Sequence, residues 1–192
     1  SLNLRIPEKV TVIGVGGVGS WVALNLALVG TPTMILIDHD IIEESNLNRT
    51  PFKITQVGRP KVEALAELIF ERRPDAVVVP IQKKLEDLTE YEKTLLDGSI
   101  LIDCRDTEPL SDIAITGGYD GYNITIHINP QKRSIWGDEP VRYTITPSFV
   151  VPPQIIASFI TLYLCVPELQ TEKEIIKSFD IRELFKQVMG YE

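Results

Sequence analysis

The chain has 192 residues with 19 Lys and Arg against 27 Asp and Glu, a formal charge of −8 with both histidines neutral, which argues against a nucleic-acid backbone as its partner. An apolar fraction of 44%, a charged fraction of 24% and Gly and Pro counts of 12 and 13 exclude disordered, collagenous and fibrous classes and predict a single globular domain over residues 1–192. No apolar run reaches the ~18 residues that a membrane span needs, and SLNLRIPEKV lacks the apolar core of a signal peptide, so a cytoplasmic protein without a membrane partner is expected.

Val10-Thr11-Val12-Ile13 is a short β-branched run that stops at a glycine cluster, after which Val18, Val22, Leu26 and Val29 recur at helical spacing. This reads as strand, tight turn, helix. Gly30-Thr31-Pro32 breaks the helix, and Met34-Ile35-Leu36-Ile37 is apolar throughout, as in a strand covered on both faces. Residues 38–60 are polar and punctuated by Pro and Gly, and a loop of that length in a compact domain is usually functional. A helix is predicted from about Lys61 with Val62, Leu65, Ala66, Ile69 and Phe70 on one face. Val77–Val79 and Ile100–Ile102 are further candidate strands, separated by a segment, Leu85 to Leu96, that reads as helical.

This alternation predicts an α/β fold with a doubly wound, mostly parallel sheet and right-handed crossovers. The pattern then changes to period two at Asn123–Asn129 and Val141–Thr146, which predicts antiparallel, half-exposed strands appended to the sheet in the C-terminal half. Pro152-Pro153 is expected to open a buried helix through Ile155, Ile156, Phe159, Ile160 and Leu164, and Glu172 to Val188 reads as a final amphipathic helix.

Gly14-Val15-Gly16-Gly17-Val18-Gly19 fits G-x-G-x-x-G between a strand and a helix, where backbone N–H groups and the positive helix end can face a phosphate. The bland alternative is a tight structural turn. Asp38 ends the second strand 19 residues after Gly19, where a carboxylate can accept hydrogen bonds from ribose hydroxyls. A plain dinucleotide site needs nothing special beyond that aspartate, yet here Asp40, Asn46, Arg49 and Lys61 follow in the long loop. Two cations beside an asparagine after a ribose-binding position favour a triphosphate ligand over solvated surface charge.

In order, G-x-G-G-x-G-S, D-x-D, S-N-L-N-R, G-x-P-K and Asp103-Cys104-Arg105-Asp106 resemble the ThiF/MoeB/HesA superfamily, which contains the ubiquitin-activating enzymes. The resemblance covers about residues 8–110 and implies a Rossmann-like fold and an adenylyltransferase that uses ATP and Mg²⁺ to activate a C-terminal carboxylate. Carried over by residue, it implies that Gly14, Gly16, Gly17 and Gly19 lie under the phosphates and that Asp38 and Asp40 belong to the nucleotide site. It further implies that Asn46, Arg49 and Lys61 grip the triphosphate, the two cations acting in catalysis, and that Asp106 holds Mg²⁺. The implied partners are a ubiquitin-like or sulfur-carrier protein ending in glycine and a second copy of the chain. Asp103 either caps the adjacent turn or shares the metal, while Gln56, Ser20 and Arg59 are read as loop or cap residues.

The sequence departs from the family pattern in several places. An R-Y-x-R-Q-like stretch, which supplies an arginine across the dimer interface, is missing, and Arg5 is the one arginine before the first strand. No C-x-x-C pair for zinc and no crossover-loop cysteine are present; Cys104 and Cys165 each stand alone in an apolar stretch and are assigned to the core. Thr107 replaces the asparagine that usually follows Asp106. His39 and His127 are read as structural or surface residues, and Gly117–Tyr122 as a hairpin rather than a second phosphate loop. Competing readings are a non-catalytic nucleotide-binding scaffold subunit and, more distantly, an NAD-dependent oxidoreductase.

Overall fold

The computed structural model describes residues 1–106, 113–131 and 147–191. Four strands, β1 (Lys9–Ile13), β2 (Thr33–Ile37), β3 (Val77–Ile81) and β4 (Ile100–Asp103), form a parallel sheet in the order β3-β2-β1-β4. Every β2 residue from Met34 to Ile37 is buried, as the unbroken apolar run predicts for a strand covered on both faces. Pro80 sits in β3, an edge strand, which is where a residue without an N–H is tolerated.

Period two divides the sheet's side chains between two layers. Val10, Val12, Met34, Leu36 and Ile102 join a core with helices α1 (Gly17–Val29) and α2 (Lys61–Arg72), while Ile13, Ile35, Ile37 and Ile81 face the opposite side. That side is covered by Leu85, Leu88, Leu95 and Leu96, so the sheet is doubly wound. Among these leucines the predicted single helix is two pieces: a 3-10 turn at Leu85–Asp87 and α3 (Glu90–Leu95). Leu88 is extended, and Thr89 starts α3 with a capping box in which its hydroxyl accepts from the Glu92 N–H. Helix α1 ends where expected, at Gly30 in the left-handed region with φ 113°.

Beyond β4 the chain forms β5 (Ile115–Asp120), β6 (Asn123–Ile128), α4 (Val151–Cys165), β7 (Ile175–Asp180) and α5 (Ile181–Met189). Among the described residues the antiparallel strands make a sheet of their own, β5-β6-β7, with α4 packed between it and α1. Gly117–Tyr122 lies in the β5–β6 hairpin, as read from the sequence. The strand expected at 141–146 lies outside the described residues.

Three further expectations are corrected. The helix predicted over Glu172–Val188 is a strand followed by a helix: Ile175–Asp180 pairs with β6, and Asp180 caps α5 by accepting from the Arg182 N–H. Pairing with a neighbouring strand overrides local helical spacing here. Phe70 points away from the core of α2, and Phe159 stands at the surface of α4, tilted against Phe179 at a ring separation of 6.2 Å. Both lie one position beyond the arc that their helix presents to its neighbours.

Candidate nucleotide site at the switch point of the parallel sheet

The chain leaves β1 towards β2 and β3 on one side, then returns to β4 on the other. The switch point therefore lies beyond the C-terminal ends of β1 and β4, where open sheets of this kind form the crevice that binds ligands. The glycine loop after β1 and the Asp103–Asp106 segment after β4 both reach it.

The glycines do different work there. Gly14 has φ +84°, and a Cβ on it would crowd Arg105 and Cys104 at 3.1 Å. A Cβ on Gly19 would lie 1.8 Å from the Gly14 carbonyl oxygen, so this residue is fixed by the turn itself. On Gly17 it would meet the Tyr119 hydroxyl at 3.4 Å, Pro153 at 3.7 Å and the Arg49 side chain at 3.8 Å. On Gly16 it would meet nothing within 4 Å. The last position leaves open space over the first turn of α1, which has no side-chain cap.

Asp38 is tied to this loop. Its Oδ2 accepts from the Val15 N–H at 2.9 Å and its Oδ1 from the Asp40 N–H at 2.8 Å. A carboxylate has about four acceptor positions, so capacity for hydroxyl donors remains. Asp40 lies 3.1 Å from His39 and 3.6 Å from the Nζ of Lys61, whose side chain is nearly buried. Asn46 is buried, and its side-chain oxygen accepts from the Glu43 N–H at 2.8 Å, closing a 3-10 turn. Its carbonyl accepts from Thr50. Structurally Asn46 shapes the loop that presents Arg49.

Arg49 and Lys61, from two separate stretches of chain, both bear electrostatically on Asp106. Crowding by protein raises the Asp106 carboxyl above its ordinary value although the residue is open to solvent, and the positive charges of Arg49 and Lys61 pull it back. Asp103 stands apart: it is buried, its Oδ1 accepts from the Arg105 N–H at 3.1 Å, and its carboxylate pairs with the Arg105 guanidinium at 2.9 Å. Of its two readings, the cap is the one the geometry shows.

The remaining sequence candidates serve local structure. Gln56 is buried, accepting from the Lys53 N–H and donating to Ala64; Ser20 donates to the Gly16 carbonyl; Arg59 pairs with Glu67 at 2.7 Å. Burial pushes the thiols of Cys104 and Cys165 up, Asp103 and Asp106 adding to the effect at Cys104. Neither is primed as a thiolate.

Four residues that the sequence reading passed over also gather here: Trp21, Asn48, Tyr119 and Ser148. The Trp21 indole donates to the Arg49 carbonyl at 2.9 Å, Asn48 donates to the Ser148 carbonyl at 2.7 Å, and Tyr119 and Ser148 share a hydrogen bond of 2.7 Å. Asn48 could have been flagged by its place in S-N-L-N-R; the others join it through contacts remote in sequence.

The model of the ThiF family matches residues 5–114, more than half of the chain. The chain belongs to the ThiF family. Within that family it is 30% identical over 105 residues to the SAMP-activating enzyme E1 of Haloferax volcanii, covering 54% of this chain and 38% of the relative. It is 28% identical over 213 residues to ubiquitin-like modifier-activating enzyme 5 of Caenorhabditis elegans, covering 97% of this chain and 49% of the relative. The ThiF chain thus spans about half or less of the length of these relatives. Its fold is shared with PaaA, at TM-score 0.66 and 23% identity over 91% of this chain and 64% of that one. It is likewise shared with E. coli MccB crystallised with an MccA derivative, at TM-score 0.66 and 19% identity over 90% and 64%.

Proposed function

We propose that this ThiF-family chain is an ATP- and Mg²⁺-dependent adenylyltransferase that activates the C-terminal carboxylate of a ubiquitin-like or sulfur-carrier protein ending in glycine. The observation that carries the reading is the Arg49 side chain standing against Gly17 at the open first turn of α1, with its charge and that of Lys61 both bearing on Asp106. The names of the two curated relatives, a SAMP-activating enzyme and a ubiquitin-like modifier-activating enzyme, support that class of acceptor.

In this reading the α1 N–H groups over Gly16 bind phosphate oxygens and Asp38 takes the ribose hydroxyls. The acceptor carboxylate is ionised at pH 7, so no general base is required. Its oxygen bonds to the α-phosphorus of ATP while the bond to the bridging oxygen breaks and pyrophosphate leaves. Anion thus meets anion, and Arg49 and Lys61 supply positive charge where negative charge accumulates. Among the described residues no hydrogen bond engages the Asp106 carboxylate, in contrast to Asp38 and Asp103, and an oxygen donor so placed suits Mg²⁺. When bound, that ion would neutralise charge on the departing pyrophosphate.

With both thiols desolvated, neither Cys104 nor Cys165 takes the activated carboxylate as a thioester in this reading. We further propose a cytoplasmic homodimer. The apolar stripe of Leu184, Phe185, Val188 and Met189 along α5, exposed in one chain, supports the pairing, and light scattering at micromolar concentration tests it. No helix among the described residues is long and apolar enough to cross a membrane. Pyrophosphate exchange into ATP, stimulated by a Gly-ended ubiquitin-like protein, tests the activity itself; absence of exchange with every such acceptor would favour a scaffold.

A further inference from the structure

Arg49 is held from several directions, and one uncharged residue joins its guanidinium to a distant part of the fold. The Nη1 group donates to the Ser45 carbonyl at 2.7 Å and to the Asn48 Oδ1 at 3.1 Å. The Asn48 Nδ2 in turn donates to the Ser148 carbonyl at 2.7 Å, and the Ser148 hydroxyl is hydrogen-bonded to the Tyr119 hydroxyl on β5 at 2.7 Å. A continuous path therefore runs from the antiparallel sheet, through the segment that leads into α4, to the crevice arginine. The same groups close on α1 from outside, since the Tyr119 hydroxyl and the Arg49 side chain both stand against Gly17.

The chemistry of the path demands an amide. An amide presents an acceptor at one atom and donors at the other, so it can face a guanidinium and a carbonyl together in one orientation only. A carboxylate at position 48 would satisfy Arg49 but set an anion against the Ser148 carbonyl, and an aliphatic side chain would satisfy neither. Nη1 has both its N–H groups occupied, while Nε and Nη2 carry no partner among the described residues and stay free for an anion. Fixing one arm of the fork aims the other.

We propose that Asn48 is a positioning residue for Arg49, holding its guanidinium in the direction that meets the triphosphate. The proposal rests on the adenylylation reading for its catalytic consequence, though not for its geometry. Asn48 is exposed, so Asn48→Ala should leave the fold intact. In the full chain with ATP, Mg²⁺ and a Gly-ended acceptor, that variant should lower kcat for pyrophosphate exchange about tenfold, less than the loss of a direct oxyanion donor.

A double-mutant cycle separates positioning from a general structural role. On an Arg49→Lys background, where the charge remains and the fork is gone, Asn48→Ala should cost less than twofold; equal losses on both backgrounds would overturn the proposal. A second readout does not depend on activity. In ¹⁵N NMR, rotation that exchanges the two Nη groups of Arg49 should be at least threefold faster in Asn48→Ala, where the Ser45 carbonyl alone holds Nη1, than in the native protein. An unchanged rate would overturn the assignment. A faster rate in the variant, with no pyrophosphate exchange in the native enzyme, would uphold Asn48 as the anchor and overturn the adenylylation reading.

Discussion

Adding one methyl group at either of two glycines of the same loop should separate its structural from its binding role. In Gly19→Ala the new Cβ would stand 1.8 Å from the Gly14 carbonyl oxygen, 2.8 Å from the Gly14 carbonyl carbon and 3.1 Å from the Cβ of Cys104. Ordinary contact requires the α1 backbone to withdraw from the turn by more than about 1 Å, and neither neighbour is a flexible chain end. Overpacking of this kind costs ~1–3 kcal/mol and more where backbone must move, so ~3 kcal/mol is a fair expectation. At 2–4 °C per kcal/mol for a chain of this size, Tm should fall by roughly 6–12 °C.

Gly16→Ala meets no atom within 4 Å. Its cost is limited to backbone preference, about 1 kcal/mol at most, yet the methyl group fills the space over the first turn of α1 where a phosphate would approach. Thermal unfolding and ATP calorimetry on both variants check the pair. Gly16→Ala should unfold within about 4 °C of the parent and bind ATP at least tenfold more weakly. A Gly19→Ala protein of unchanged stability, or a Gly16→Ala protein with unchanged ATP affinity, would refute the division.

Asp38→Ala should weaken ATP binding by removing charge-assisted hydrogen bonds worth about 1.5–3 kcal/mol each, and it should also lower stability because the Val15 and Asp40 N–H groups lose their acceptor; calorimetry preferring NAD would contradict the site. Cys104→Ser and Cys165→Ser should retain exchange and form no reductant-sensitive adduct with the acceptor, which non-reducing gel electrophoresis checks. The Asp180 carboxyl, held by the Arg182 guanidinium and N–H, is lowered to about 2. Its contribution to α5 is therefore complete above the ordinary carboxylate value near 3.9 and is lost as pH falls towards 2. Carboxyl ¹³C NMR should show this titration, and Asp180→Ala should fray α5 even at neutral pH.

Much of the parallel half was legible because its signals are local. A fully apolar run gave β2, a glycine cluster between β-branched residues and helical spacing gave the β1–α1 turn, and the D-x-D and S-N-L-N-R motifs marked the loop that carries Arg49. What failed depended on contacts remote in sequence. Ile175–Asp180 carries helical spacing but forms a strand because β6 supplies the pairing, and only Asp180 marks where α5 begins. Asp103 and Asp106, three residues apart, were both open as metal ligands until burial and the Arg105 pair separated them. The Asn48, Ser148 and Tyr119 path spans three segments, and no window along the chain contains it.

The central claim is tested most directly by acceptor-dependent exchange of labelled pyrophosphate into ATP in the native chain, Arg49→Ala and Asp106→Ala. The native chain should exchange, and each variant should lose a hundredfold or more while unfolding at a temperature close to the parent's, since Asp106 is exposed and Arg49 half-buried, both outside the core. Exchange that persists in the folded variants would contradict the account.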